Sequence, residues 1–407
     1  MNSALTRPLV TLYFARLVSL VGDRVYLIAL TIYLAGQNGE YLAVLWLSQL
    51  ALPIVTGFFE GTVIDRLGYR RTAVIADIVN SAATAAMPFV LHRYIWLFIL
   101  AFLVSGAASF SGTAMNPMIS DLTTEKTRHQ ANSLTGTMAS VALFVGPVLG
   151  GSLFVYNHGL PFFAQSISFT VSALCLLSIR LPARRANGSE SDESGGGVSV
   201  WSDLRMSLHY IWKNRVLRTC VAMYVLFNLG TGILEPYQVL FLTKAVHLST
   251  QDFTVVVSAS GLALVIGGLI NARYLKNVRP QVLAPVGTFV TLLGIIPYVF
   301  SMTLAAAVAS LVVSSFGTVT ILASVGTIRM NAIPVSHQGR ILGVVGAMSI
   351  MAATVSILIG ALLLPYLPIR TIFIAAATVM ILTLPVAFRL LTPTSAISFP
   401  STGADLS

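Results

Sequence analysis

The sequence predicts an all-α membrane protein: twelve transmembrane helices in two pseudo-symmetric bundles of six. Three observations predict it. The 407 residues are 56% hydrophobic and only 9% charged, against about 25% charged in a soluble domain, so lipid has to replace water around most of the chain. The apolar residues gather into twelve continuous stretches near the ~20 residues that span hydrocarbon. Two short strings also recur at a nearly constant offset. Gly61-x-x-x-Asp65-Arg66 returns, weakened, as Gly267-x-x-x-Asn271-x-Arg273, 206 residues on. His129-Gln130-Ala131-Asn132 returns as His337-Gln338-Gly339-Arg340 with an offset of 208. Tandem six-helix bundles leave this kind of trace.

In order, the first six stretches lie near 9–35, 41–61, 72–91, 94–118, 130–157 and 160–180. The second six lie near 217–242, 252–275, 281–301, 304–328, 340–364 and 369–391. Their continuity excludes a β-barrel, whose strands alternate. Met1–Pro8 lacks a signal-peptide cleavage pattern, so the first apolar stretch is expected to stay in the mature protein. Cys175 and Cys220 fall inside apolar stretches and read as small hydrophobic side chains, not a disulfide or zinc framework.

Basic residues set the orientation. If both termini lie inside, the outer loops keep only Arg93, Lys244 and Arg370, and Arg16 and Arg24 sit within the first helix. All other lysines and arginines are then cytoplasmic, and the positive-inside rule places both termini there, in the cell's inner membrane. The net charge of +10 is this asymmetry and implies no nucleic-acid partner.

The domains follow: 1–180 as the first bundle, 181–216 as a cytoplasmic linker, 217–391 as the second bundle and 392–407 as a tail. Residues 186–199 are polar and glycine-rich, as a flexible linker is. After them Trp201, Leu204, Leu208, Ile211 and Trp212 recur at helical spacing among basic residues. They predict an amphipathic helix, either on the inner membrane face or packed under the second bundle.

A polar string joins the second and third stretches: Gly61, Asp65, Arg66, Gly68, Arg70 and Arg71 fall in the pattern GxxxDRxGxRR. Helix five carries Gly146-Pro147-Val148-Leu149-Gly150-Gly151. With Ala142, Gly146 and Gly150 four apart, it offers a smooth face. Helix eight offers Ala259, Ala263 and Gly267 at the same spacing, and the two faces are expected to pack together across the halves.

On these residues the chain resembles a transporter of the major facilitator superfamily over residues 8–391. The string Gly146–Gly151 is similar to the GPxxGG motif of drug exporters. Trp201–Asn214 and Arg128–Asn132 resemble the three-type drug/proton antiporter group that includes macrolide efflux proteins. The resemblance implies alternating access, with the Gly61–Arg71 loop as a conformational latch made when the inner side closes. One departure stands out. Leu103 occupies the place where related antiporters carry a helix-four arginine tied to proton handling, so that motif transfers no proton coupling.

Ionisable groups inside a membrane cost at least about 2.5–3.5 kcal/mol on insertion scales and need a partner or water. Helix one holds Arg16 and Asp23, seven residues apart on nearly one face. Asp23 lies about 21 Å along from Leu9 at ~1.5 Å per residue. Helix seven holds Asn228, Thr231, Glu235 and Gln238 on one stripe, which is expected to line an aqueous cavity. Pro236 and Gly230 predict a kink that would let its outer part act as a gate. Asp23 and Glu235, with Arg16, are the candidates for proton coupling or for holding a charged substrate. Either acid could instead serve packing alone, as an Asp–Arg pair or a glutamate held by Gln238. Ser109, Thr113 and Asn116 on helix four form a candidate hydrogen-bonding wall of the cavity. Asp77 on helix three is expected to pair with an inner-loop arginine.

No metal-ligand spacing, nucleophile–base arrangement or GxxxxGK[ST] loop occurs. A cofactor-free, monomeric secondary exporter of amphipathic small molecules, driven by protons, is therefore expected, and not an enzyme. A carrier of a defined metabolite, siderophore or lysophospholipid would use the same fold, and so would a membrane sensor that moves no solute.

Overall fold

A computed structural model describes residues 7–37, 39–123, 125–179, 200–275, 277–333 and 338–391. The predicted linker 186–199, the tail 392–407 and the side chains of His129–Asn132 and His337–Arg340 lie outside what is described. The first half contains α1 (Arg7–Gln37), α2 (Glu40–Leu67), α3 (Tyr69–Val90), α4 (Tyr94–Asp121), α5 (Glu125–Tyr156) and α6 (Leu160–Ser178). Then α7 (Val200–Lys213) leads into α8 (Arg215–Leu240), which a π-helical turn extends over Phe241–Ala245. The second half continues with α9 (Thr250–Tyr274), α10 (Pro280–Val299), α11 (Leu304–Ala332), α12 (Gln338–Leu363) and the pair α13 (Ile369–Ile381) and α14 (Thr383–Phe388).

Among the described residues ten helices are long and apolar enough to cross a membrane. With α2 of 28 residues and α5 of 32, they make up the twelve spans. The helices form two bundles of six, as the sequence predicts. Within the first, α1 packs on α5 and α6, and α3 on α4 and α6; within the second, α10 packs on α11, α9 on α11, and α8 on α12 and α13. The halves meet chiefly through α5–α9, with α2–α12 and smaller α1–α8 and α2–α8 contacts.

The two ends of the molecule differ. At the end away from the termini, one apolar core joins both halves, with Tyr26, Leu34 and Leu45 beside Tyr237, Leu240, Phe241 and Ile357. Gly39 is wedged into this seal: a Cβ there would lie 2.6 Å from a Leu364 methyl and 2.8 Å from one of Leu240. At the terminal end the cores stay within their halves. Leu12, Ile64, Met115 and Leu176 form one, and Cys220, Ile321 and Val325 another. The fold is thus closed at one end and divided at the other.

Several expectations change in detail. The polar loop at Gly61–Arg71 is nearly all helix: α2 runs to Leu67, α3 starts at Tyr69, and Gly68 alone joins them at φ 82°, a left-handed conformation that suits glycine. Helices α5 and α9 do pack, but not through the faces expected. A Cβ at Gly146 would strike Arg24 of α1, and one at Gly150 would lie 2.7 Å from the Val25 carbonyl oxygen. The cross-half approach uses Gly151 against Thr254 and Gly261 against the Leu143 backbone, while Gly267 faces Phe316 and Val319 of α11. The spacing picked out small residues at close helix contacts, but on α5 the face that meets α9 is offset by one residue, at Leu143 and Gly151.

Helix α8 continues through Pro236 to Leu240, and a π turn follows it. Gly230 is a packing position, where a Cβ would meet Met380 of α13. The amphipathic α7 packs under the second bundle: Ile211 shares a core with Leu217, Val221 and Ile341, and Tyr210 donates to the Ala332 carbonyl at 2.9 Å. Trp212, on its other face, is 62% exposed. Both cysteines are free, Cys220 buried and Cys175 half-buried.

Gly150 provides a direct test of the α1–α5 contact. Gly150→Val puts carbon where the Val25 backbone stands, and overpacking of this kind costs about 1–3 kcal/mol. The purified protein is expected to unfold at a lower temperature, whereas Gly61→Val, at a position with no neighbour within 4 Å of a Cβ, is expected to lose much less.

Candidate functional site

The polar residues predicted on α1 gather into a network inside the first bundle. The Arg16 guanidinium lies against α4, both terminal nitrogens 3.5 Å from a Cβ built at Gly112. Its charge bears on both Asp23 and Asp77, although among the described residues neither carboxylate pairs with it within 4 Å. Asp23 instead accepts from Gln165 Nε2 at 3.1 Å, and the same amide nitrogen donates to Asn80 Oδ1 at 3.1 Å. Asn80 in turn donates to the Val104 carbonyl. Gln165 is fully buried and its Oε1 has no donor.

Asp77 departs from its expectation of an arginine partner near the inner surface. It is fully buried and accepts from Ser111 of α4 and Ser172 of α6, both at 2.6 Å. Neutral hydroxyls satisfy the carboxylate, and among the described residues no loop arginine pairs with it.

The same solution recurs at Glu60 of α2, a residue the sequence reading did not single out. Its carboxylate, 4% exposed, accepts from Ser109 at 2.5 Å and Thr113 at 2.6 Å on α4, and from Thr56 one turn earlier at 2.8 Å. Ser109 and Thr113, expected to line the cavity, are therefore committed to Glu60; Asn116, one turn on, is exposed. The missed signal was a Thr-x-x-x-Glu pair in an otherwise apolar helix, facing a Ser-x-x-x-Thr pair on α4. Gln165, Ser168 and Ser172 on α6 were a similar polar stripe left unread.

On α8, Glu235 is exposed, and Arg24 of α1 is the cation that bears on it. Arg24 also bears on Asp23. One arginine thus stands electrostatically between the acids of the two halves. Asn228 and Thr231 bond to carbonyls of their own helix, at Tyr224 (2.7 Å) and Phe227 (3.1 Å). Gln238 lies beside the Tyr298 hydroxyl, which makes no hydrogen bond of ordinary geometry. Tyr237 is buried and donates to the Ile357 carbonyl at 3.1 Å.

Around Gly68, Asp65, Arg66 and Arg71 are exposed, and Asp65 has no ion-pair partner among the described residues. Arg70 donates to the Leu176 carbonyl at 2.9 Å and to that of Leu177, stapling α3 to the end of α6. The second-half copy is built differently. Asn271 and Thr320 exchange hydrogen bonds at 3.1 and 3.2 Å, tying α9 to α11.

Comparison with known proteins agrees with this architecture. The family profile described as Major Facilitator Superfamily matches residues 12–307 and 220–405. The multidrug efflux pump Tap of Mycolicibacterium fortuitum is 22% identical over 394 residues, 92% of this chain and 93% of that protein. Among solved structures, a mutant of the nucleoside transporter NupG superposes with a TM-score of 0.75 at 12% identity, over 94% of this chain and 99% of that one. A bacterial homologue of the iron transporter ferroportin, in an inward-facing state, superposes with a TM-score of 0.72 at 13% identity, over 96% and 100%. At such identities the structural likeness carries the fold alone.

The hydroxyl cradle at Glu60 is testable without a substrate. Glu60→Leu strips the Ser109 and Thr113 hydroxyls of their acceptor and is expected to destabilise the protein by on the order of 1–3 kcal/mol. Glu60→Gln, which keeps an acceptor, should lose less. Thermal unfolding of the purified variants reads the difference, and equal stability would mean that the hydroxyls turn to carbonyls of their own helix.

Proposed function

Because the chain belongs to the major facilitator superfamily, we propose that it exports amphipathic small molecules of the drug or macrolide kind, by alternating access coupled to inward proton flow. It is a multi-pass membrane protein, and we assign it to the cell's inner membrane with both termini in the cytoplasm, following its basic loops. Residues 1–180 and 217–391 act as the moving bundles of a monomer, joined by 181–216. What supports drug export is the similarity to the pump Tap, which extends over nearly the whole of both chains.

The observation that supports the mechanism is that the Arg24 charge bears on both Asp23 and Glu235, one acid from each half. A proton or a cationic substrate arriving at either acid changes the balance of charge across the α1–α8 contact, where the halves must move. Within a membrane-spanning helix a change of charge is energetically large. The hydroxyl-bound acids Glu60 and Asp77 lie within the first bundle, and their neutral partners favour a structural task.

The divided terminal end and the sealed opposite end correspond to one of the two states that alternating access requires. In this state Asp65 lacks a partner among the described residues, as a latch does when its end is open. Asn271, bonded to Thr320, cannot supply an equivalent charge, so the charge-based latch belongs to the first half alone.

Everted membrane vesicles test the reading. A pH gradient is expected to drive uptake of ethidium and of erythromycin, and Asp23→Asn combined with Glu235→Gln is expected to abolish it. Gradient-driven uptake surviving the double substitution would contradict the coupling role. Absence of uptake across a wide panel of dyes, drugs and lysophospholipids would contradict export itself.

A further inference from the structure

The end of the molecule away from the termini is nearly free of positive charge, since its loops carry only Arg93, Lys244 and Arg370. Two of these three line one cavity of about 550 Å³, within the 300–1,000 Å³ common for small-molecule sites. Its walls come from both halves. Gly39 and Glu40 belong to the first; Leu240, Lys244 and the connection from Leu364 to Arg370 belong to the second.

The charges in this cavity are unequal. Arg370 directs its terminal nitrogens to neutral acceptors, the Ala245 carbonyl at 2.9 Å, the Ser301 carbonyl at 3.2 Å and the Met302 sulfur at 3.3 Å. Its guanidinium is thereby fixed in place, also 5.9 Å from the centre of the Phe241 ring, with its charge uncompensated by these contacts. Lys244 is exposed and has no partner among the described residues. Glu40 is the one acid in the lining, placed in the first turn of α2, where helix N–H groups favour it. The cavity therefore holds two cations against one acid. The remaining walls, including Leu240, Leu364, Leu367 and Ile369, are apolar.

We infer that this cavity binds an anionic phosphate ester carrying a hydrocarbon chain, namely a phospholipid headgroup from the adjoining leaflet. Lys244 and Arg370 meet the phosphate, and the leucine-rich wall meets the first part of the chain. Such a ligand touches the Gly39–Glu40 turn of one half and the Leu364–Arg370 connection of the other. It therefore holds this end shut and favours the state in which the opposite end is divided. The site is independent of the export reading and of the acids on α1 and α8.

Native mass spectrometry of the detergent-purified full-length protein tests the assignment. Phosphatidylglycerol is expected to be retained as a discrete adduct in preference to phosphatidylcholine of the same chains. Lys244→Gln should weaken that retention roughly fivefold, corresponding to about 1 kcal/mol per basic residue at a lipid surface. Arg93→Gln, a change of equal charge on the same end but outside the cavity, should leave it unchanged. Because Lys244 is exposed, its replacement is expected to leave the fold intact, and unaltered phosphatidylcholine retention in the variant checks this. Equal retention of the two lipids, or equal weakening by Arg93→Gln, would overturn the site. Displacement of the adduct by glycerol phosphate at equal concentration would overturn the lipid and leave a soluble phosphate ester as occupant.

Discussion

Lipid offers no hydrogen bonds, and this one constraint organises the protein's interior. A polar group placed within the bundles is costly unless it finds a partner in the chain. The observed solutions are economical. Asp77 and Glu60 are each held by side-chain hydroxyls from neighbouring helices, and Gln165 bridges Asp23 and Asn80 with a single amide nitrogen. Each of these contacts joins different helices, so the groups that would be costly in hydrocarbon become the ties that fix α1, α2, α3, α4 and α6 to one another.

Between the bundles the rules differ. There the contact is made by apolar side chains at one end and by close helix approaches at Gly151 and Gly261, and these bind no polar group irreversibly. Arg24 bears on Glu235 across the halves through space, and on Asp23, which the hydrogen bond from Gln165 also ties into the first bundle. Rigid bundles with a separable seam, and charge at that seam, are the physical requirements of a machine that opens at alternate ends. Gly39 shows how the seam is sealed: its missing side chain lets a turn of one half sit between Leu240 and Leu364 of the other.

Much of this was legible in the sequence because it depends on local regularities. Spans follow from run length, the doubling from the offset between Gly61 and Gly267, and the small helix faces from four-residue spacing. What was not legible depends on rotation and partner choice. Gly146 and Gly150 were recognised as packing residues but turn towards α1, because spacing along one helix does not say which neighbour it meets. Ser109 and Thr113 read as a wall for substrate, and a carboxylate from α2 takes them instead. Glu60 went unnoticed beside the better-known pattern that starts one residue later. Pro236 lies inside an unbroken α8, and a π turn at Phe241–Ala245, which the sequence did not signal, follows it. The similarity to the pump Tap agrees with the drug-exporter resemblance of the string Gly146–Gly151.

The most direct measurement of alternating access follows both ends at once. Spin labels at the exposed positions Arg71 and Arg279 report the terminal end, and labels at Arg93 and His247 report the opposite end. Pulsed electron resonance on the protein in lipid vesicles, before and after ethidium and a pH gradient are applied, gives both distances in the same membrane environment. Alternating access requires them to move in opposite senses, the terminal pair closing as the other opens. Two distances that stay fixed, or that change together, would contradict it.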